Sequence, residues 1–260
     1  MNQEKIQKAA AFLGESTAKR QRRNLPDDLK PANEAEAVAI CEAGWALTGG
    51  DPAGWKIGAA DPKARAAMGL TVPFLGRIEK AGIRHGDQTF PFADMRRPIV
   101  ESEYGYRMGR DLPPRAEPYT RAEVEDAVEA LLIGIEVPES RLEDDHGLAG
   151  LGSACDNGAS SLYVEGKSFS DWRGIDLLGH DVVMTINGEE RGRGTGAAVM
   201  GHPMDALVWF VNHMSANGRT LKAGQFVTTG SCTGVIPVKP GETCVADFGP
   251  LGKISVAFPA

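Results

Sequence analysis

The chain has 260 residues, 42% hydrophobic and 24% charged, with a net charge of -7 and a pI near 5.3. That length and apolar content support one large domain, or two intimate ones, around a real core. The acidic balance argues against a binder of the nucleic-acid backbone: the basic run KRQRR at 19–23 is too short for a stripe and reads as a solvated helical face.

Residues 2–23 read as a helix ended by NLPDD, and 33–47 as a second helix with Val38, Cys41 and Trp45 on one face. LTGGDPAG then breaks the chain. GWKIG follows as a short strand and ADPKARAAMGL as a turn with a short helix. VESEYGYRM, from residue 100, reads as a strand. Its alternation puts Glu101, Glu103, Gly105 and Arg107 on one face and Val100, Ser102, Tyr104, Tyr106 and Met108 on the other. Thr120 and Glu123 form a capping box for a third helix, whose stripe is Val124, Ala127, Val128 and Leu131. It runs into the buried strand LLIGIEVP. Beyond residue 160 come SSLYVEG, DVVMTING, GQFVTTG, GVIPV, TCVADFG and KISVAF, all strand-like. One helix near 203–216 interrupts them, with Leu207, Phe210, Val211 and Met214 on a face. The pattern predicts an α+β fold in which a curled, β-rich core carries a helical N-terminal layer. Residues 1–55 form the helical region and 56–260 the β-rich catalytic part of one intimate unit.

Three acids stand out. Glu101 and Glu103 share a face with stems roughly 7 Å apart, and at an effective dielectric near 20 two such charges repel by about 2 kcal/mol. In a cleft that pair needs a counter-charge. Glu136 sits between Ile135 and Val137, where a carboxylate must be paired, with Arg141 or Arg107 for example, or bind a metal. Three oxygen ligands without Cys or His suit a hard cation, Mg²⁺ or Mn²⁺. Lys56, between Trp55 and Ile57, reads either as an edge-strand lysine or as an active-site cation whose pKa burial lowers.

Other features point nowhere specific. Cys41, Cys155, Cys232 and Cys244 lack the spacing of a zinc site or a disulfide framework, and Cys41 and Cys244 read as small core residues. RGRGTG at 191–196 follows the hairpin signal NG and reads as a turn, not a phosphate loop. His202 reads as a helix start, and His85, His146, His180 and His213 have no spaced partner. Ser231 in TTGSCTG has no histidine placed to activate it. No apolar run reaches membrane length and the N-terminus is polar, so a cytoplasmic protein without a membrane partner is expected.

In chain order, GWKIG, VPFLGRI, ESEYGYRMGRDLP, GIEVPESR, CDNGASSLYVEG, GHPMDALVWFVNHMSANGRTLKAG, VTTGS and LGKISVAF resemble one family. These are the 2-oxopent-4-enoate (2-hydroxypenta-2,4-dienoate) hydratases and 4-oxalocrotonate decarboxylases of the fumarylacetoacetate hydrolase superfamily. The resemblance implies that superfamily's curled β-roll and a homo-oligomer. It implies Mg²⁺ or Mn²⁺ held by Glu101, Glu103 and Glu136, with Lys56 in the active site and Asn157, Ser161 and Ser231 at the substrate. The implied reaction is hydration of a 2-hydroxy-2,4-dienoate, or its 2-oxo tautomer, to a 4-hydroxy-2-oxo acid in aromatic catabolism. Decarboxylation of a 4-oxalocrotonate-like 2-oxo diacid is the alternative. Acylpyruvate-type C–C hydrolysis fits less well, since RRPIVESE lacks the histidine of those hydrolases and the third acid is Glu where they usually carry Asp. Departures from the pattern are Ala59, Ala60 and Asp61 after GWKIG, Val72, Pro73 and Phe74 without an acid before Gly-Arg, and Cys41 in place of a glutamine. A binding subunit that has lost turnover is the remaining reading.

Overall fold

A computed structural model describes residues 1–144 and 146–260. In chain order its elements are α1 (Gln3–Ala18), α2 (Glu34–Thr48), β1 (Gly54–Gly58), α3 (Pro62–Ala67), β2 (Phe74–Ile78), β3 (Ile83–His85), β4 (Gln88–Thr89) and β5 (Ile99–Met108). There follow α4 (Arg121–Ala127), β6 (Val128–Val137), α5 (Gly150–Cys155), β7 (Leu162–Phe169), β8 (Val182–Ile186) and β9 (Glu189–Gly194). The last are α6 (Pro203–Ala216), β10 (Phe226–Ser231), β11 (Ile236–Pro237), β12 (Glu242–Asp247) and β13 (Lys253–Phe258).

The main sheet runs β2-β1-β10-β5-β6-β7-β3, with β11 added on β5, and the second runs β4-β13-β12-β8-β9. The α+β reading holds. The central β5 behaves as its alternation predicts. Val100, Tyr104, Tyr106 and Met108 are buried in the large core shared with the second sheet and α6, where Leu207, Phe210, Val211 and Met214 also lie. Each side chain of that size stabilises the fold by about 1.5–3 kcal/mol through removal from water. The opposite face of β5 carries the two glutamates.

The helical layer packs Ala9, Ala10 and Leu13 of α1 against Ala37, Ile40 and Ala43 of α2. Leu25, Leu29, Leu142, Leu148, Ala154 and Cys155 complete that cluster, so the layer also draws on residues well beyond the first 55. Several local expectations are corrected. Helix α1 stops at Ala18, because Arg20 turns left-handed (φ 53°). KRQRR is therefore no helical face: Arg22 pairs with Glu143 and Asp144, and Arg23 lies over the Phe12 ring. In α2, Val38 is 40% exposed, and Ala37, Ile40 and Cys41 form the buried face. The stripe after Thr120 spans two elements: the capping box is present, but the chain leaves the helix at Val128, so Val128 and Leu131 belong to β6. Of GVIPV only Ile236–Pro237 pairs as strand. Among the described residues no helix is long and apolar enough to cross a membrane.

Candidate active site

Register brings the acids together. β5 and β6 pair antiparallel with Glu101 directly opposite Glu136 and Glu103 opposite Gly134. One oxygen from each of Glu101, Glu103 and Glu136 lies within 4.8 Å of the others. All three are withdrawn from solvent, Glu101 at 9% exposure and the other two at 1%. On the far side of β10, β1 pairs in parallel and sets Lys56 beside Thr228. Lys56 is thus an interior residue of the sheet, not an edge lysine. Its Nζ lies 3.0 Å from Glu136 Oε1 and donates to the Gly158 carbonyl at 2.9 Å. The arginines are occupied elsewhere, Arg107 with Glu165 and Arg141 with Asp156.

Each carboxylate has a different environment. Glu103 Oε2 accepts from the Gly230 amide at 2.9 Å. Gly230 must be glycine: its φ is +118°, and a Cβ there would stand 2.8 Å from Ala60 Cβ. Both oxygens of Glu136 are buried, and neither has a directed hydrogen bond among the described residues, the Lys56 contact being an ion pair without that geometry. A buried carboxylate left so costs stability unless something else engages it. Three carboxylates against one ammonium leave two negative charges, and hard oxygen donors at this spacing fit a divalent cation such as Mg²⁺ or Mn²⁺. Without metal, burial pushes the Glu101 carboxyl up to about 7, with Lys56 opposing and Glu136 adding. Burial and then the charges of Glu136 and Glu101 hold Glu103 well above the usual carboxylate range. Lys56 corrects the sequence reading. Burial does act to lower its pKa, but the charges of Glu136, Glu101 and Glu103 outweigh it and hold the pKa above the ordinary lysine value.

Glu101 and Glu103 open onto a cavity of about 420 Å³, lined also by Lys56, Ser153, Gly158 and Ser231 and by apolar side chains including Met68, Phe74 and Val235. Ser231 lines this cavity, with its hydroxyl donating to the Gly234 carbonyl at 2.8 Å. Asn157 and Ser161 do not. They line a separate cavity of about 510 Å³ beneath α1 and α2, which contains none of the three acids. The Asn157 amide oxygen accepts from Trp45 Nε1 at 2.6 Å and from the Arg77 amide at 2.8 Å, and its nitrogen donates to the Arg77 carbonyl. Ser161 donates to Glu139 at 2.9 Å. Asn157 therefore holds a loop and leaves the cavity to its neighbours. Asn157, Gly158 and Ala159 have φ of 55°, 60° and 55°, three consecutive left-handed residues. Such backbone persists only where its surroundings over-determine it. Here the anchored loop aims the Gly158 carbonyl at Lys56. Sequence reasoning missed Ser153, Met68 and Phe74; Ser153 sits on α5, a six-residue helix without a side-chain cap to announce it.

The family model described as fumarylacetoacetate (FAA) hydrolase, C-terminal, matches residues 62–258. The chain belongs to the fumarylacetoacetate hydrolase family. It is 32% identical over 259 residues to a 2-keto-4-pentenoate hydratase of Paraburkholderia phymatum, covering 98% of this chain and 97% of that one. It is 31% identical over 206 residues to the 2-keto-4-pentenoate hydratase of Paraburkholderia xenovorans LB400, covering 79% and 75%. The solved structure of 4-oxalocrotonate decarboxylase from Pseudomonas putida G7, complexed with magnesium and adipate, superposes with a TM-score of 0.88. That likeness covers 99% of this chain and 98% of that one at 24% identity, and establishes the curled fumarylacetoacetate hydrolase fold.

Proposed function

We propose that this protein is a divalent-metal-dependent hydratase that converts a 2-hydroxy-2,4-dienoate, or its 2-oxo tautomer, to a 4-hydroxy-2-oxo acid. The observation that carries the reading is a buried cluster of Glu101, Glu103 and Glu136, of which Glu101 and Glu103 open onto a cavity with no histidine among its described lining residues. The hydratase relatives support the substrate class, and the reaction belongs to breakdown of aromatic or related ring compounds in the cytoplasm. A homo-oligomer is part of the same proposal and rests on the family resemblance.

Glu101, Glu103 and Glu136 would hold Mg²⁺ or Mn²⁺. The bound cation supplies Lewis-acid polarisation of the substrate's 2-oxo group. Lys56 lines the acidic end of the cavity, and its role is to hold the C1 carboxylate or to relay a proton. The Gly158 carbonyl fixes the direction of its Nζ. Ser231 offers a hydroxyl on the same wall. The apolar remainder of the cavity limits bulk water around the conjugated tail. Hydration then adds hydroxyl to C4 and a proton to C3 of the 2-oxo-3-enoate tautomer, and every carbon is retained. Hydrolysis of a dioxo acid would need a base to make water attack a ketone, and a positioned base is worth about 10²- to 10⁴-fold. The usual candidate, a histidine, is missing from the described lining.

The test is the ultraviolet absorbance of 2-hydroxypenta-2,4-dienoate mixed with the metal-loaded protein. Absorbance should fall with Mg²⁺ or Mn²⁺, stop falling with a chelator, and resume when metal is restored. No metal-dependent loss with either cation would refute the proposal.

A further inference from the structure

We infer that the cavity beneath α1 and α2 is a second ligand site, which takes an organic monocarboxylate with an apolar body at Arg96. The inference stands apart from the hydratase reading, because the residues that build this site are not those of the metal cluster.

The two cavities share a wall. Gly158 and Ala159 line the metal cavity, while Asn157, Ser160 and Ser161 of the same loop line this one. Its volume of about 510 Å³ lies within the ordinary range of small-molecule sites. Ala10, Leu13, Ile40 and Leu162 supply apolar walls. The charged lining, among the described residues, is Arg77, Arg96 and Arg141 against a single acid, Glu79. Cys41 and Cys155 add no negative charge, since burial pushes the Cys41 thiol up to about 12 and raises Cys155 as well. Such an excess of guanidinium over carboxylate calls for an anion.

The three arginines are not equally engaged. Arg141 is spent on Asp156, whose carboxylate and carbonyl both accept from it. Arg77 donates from its Nη atoms to the carbonyls of Trp45, Gly49 and Gly50 at 3.3, 3.1 and 2.9 Å, and Glu79 stands 3.1 Å from its Nε. Arg96 has the poorest partners. Its Nε is buried without a hydrogen bond among the described residues, and its Nη2 reaches the Glu139 carbonyl only at 3.4 Å. The Glu139 carboxylate lies 3.7 Å from that Nη2, and its oxygens already accept from the Arg96 amide and the Ser161 hydroxyl. An unmet N–H on a buried cation is costly, and a carboxylate is the acceptor that best fits the edge of a guanidinium.

Two glycines keep the space open. Gly14 of α1 and Gly44 of α2 both line the cavity, and a Cβ on either would meet nothing within 4 Å. Glycine inside a helix costs stability relative to alanine, and here no close approach by a neighbour requires it. Room between the helices is what these positions preserve.

The test titrates benzoate into the Mg²⁺-loaded protein by isothermal calorimetry, with benzamide as a neutral molecule of the same shape and acetate as the charge without the body. Benzoate should bind saturably, on the order of 10- to 100-fold more tightly than benzamide, the usual worth of hydrogen bonds to a charged group. Acetate should bind roughly tenfold more weakly than benzoate, or worse, for want of apolar area. Arg96→Gln should lower benzoate affinity on the order of 10- to 100-fold. Gly44→Leu, which occupies open space and favours the helix, should abolish benzoate binding without lowering the melting temperature. Glu103→Gln should bind benzoate as the natural protein does, because its loss falls on the metal site. Undiminished affinity in Arg96→Gln or in Gly44→Leu overturns the inference. So does equal binding of benzamide or acetate, no saturable binding at all, or a matching loss in Glu103→Gln, which would move the benzoate to the metal.

Discussion

Lys56→Met keeps most of the side chain's bulk and removes its charge. Without metal, Lys56 Nζ lies 3.0 Å from Glu136 Oε1. At an effective dielectric near 20 that contact is worth about 5–6 kcal/mol of attraction, before the cost of burying the ammonium is subtracted. Removing one partner of such a pair leaves the other charge stranded, and the usual loss is about 3–5 kcal/mol. In a protein of this size each kcal/mol moves the melting temperature by about 2–4 °C, so the metal-free variant should melt roughly 6–20 °C below the natural protein. A divalent cation on the same three carboxylates replaces the missing charge. Saturating Mg²⁺ should therefore restore most of the lost stability, and Mg²⁺ affinity should rise by roughly tenfold, about 1.4 kcal/mol, because no ammonium competes for Glu136. Turnover should fall sharply, since nothing then holds the substrate carboxylate. Scanning calorimetry with chelator and with Mg²⁺ reads the stability effects, and isothermal titration reads the affinity. A metal-free melting temperature within two or so degrees of the natural one would refute the placement of Lys56 in a charged interior, as would weaker metal binding.

Glu103→Gln and Glu136→Gln should each weaken Mg²⁺ or Mn²⁺ binding roughly 100-fold or more, read by titration calorimetry on folded protein. Affinity unchanged in both would remove the metal site. The raised carboxyl pKa values of Glu101, to about 7, and Glu103 give a sign for pH dependence without metal. The folded chain holds protons that the unfolded chain has already released near pH 4.5, so metal-free stability should fall as pH rises from about 5 through 7. Metal binding should release protons over the same range and tighten with pH, measurable by repeating the titration in buffers of different ionisation enthalpy. Asn157→Ala removes three hydrogen bonds that hold the left-handed loop, so it should cost about 2–4 kcal/mol and raise KM as the Gly158 carbonyl loses its aim. Unaltered KM and melting temperature would return that loop to a passive role.

Much of the site is legible because strands alternate. The two-residue period of VESEYGYRM puts Glu101 and Glu103 on one face whatever pairs with the strand. A glutamate between Ile135 and Val137 has few roles open to it. The pairing of Glu101 with Glu136, by contrast, is fixed by the long connection through α4, which no local pattern reveals. The pKa of Lys56 is hidden from its local sequence for the same reason: its chain neighbours are apolar and favour a lowered value, while the three acids that raise it come from β5 and β6. Asn157 carries a motif signal for substrate contact, yet its side chain serves Trp45 and Arg77, residues more than 75 positions away. Left-handed Ala159 is equally invisible, because alanine does not choose that conformation unaided. The end of α1 is not legible locally, because Lys19 to Arg23 are all good helix formers and the Glu143 and Asp144 carboxylates that Arg22 pairs with lie far along the chain.

The measurement that bears most directly on the central claim is product analysis in H₂¹⁸O with the Mg²⁺-loaded protein. With a 2-hydroxy-2,4-dienoate the account predicts a single 4-hydroxy-2-oxo acid with all carbons retained and ¹⁸O in its C4 hydroxyl. Release of CO₂ from a 2-oxo diacid, or of pyruvate and a free carboxylic acid from an acylpyruvate, at a higher kcat/KM than hydration would contradict it.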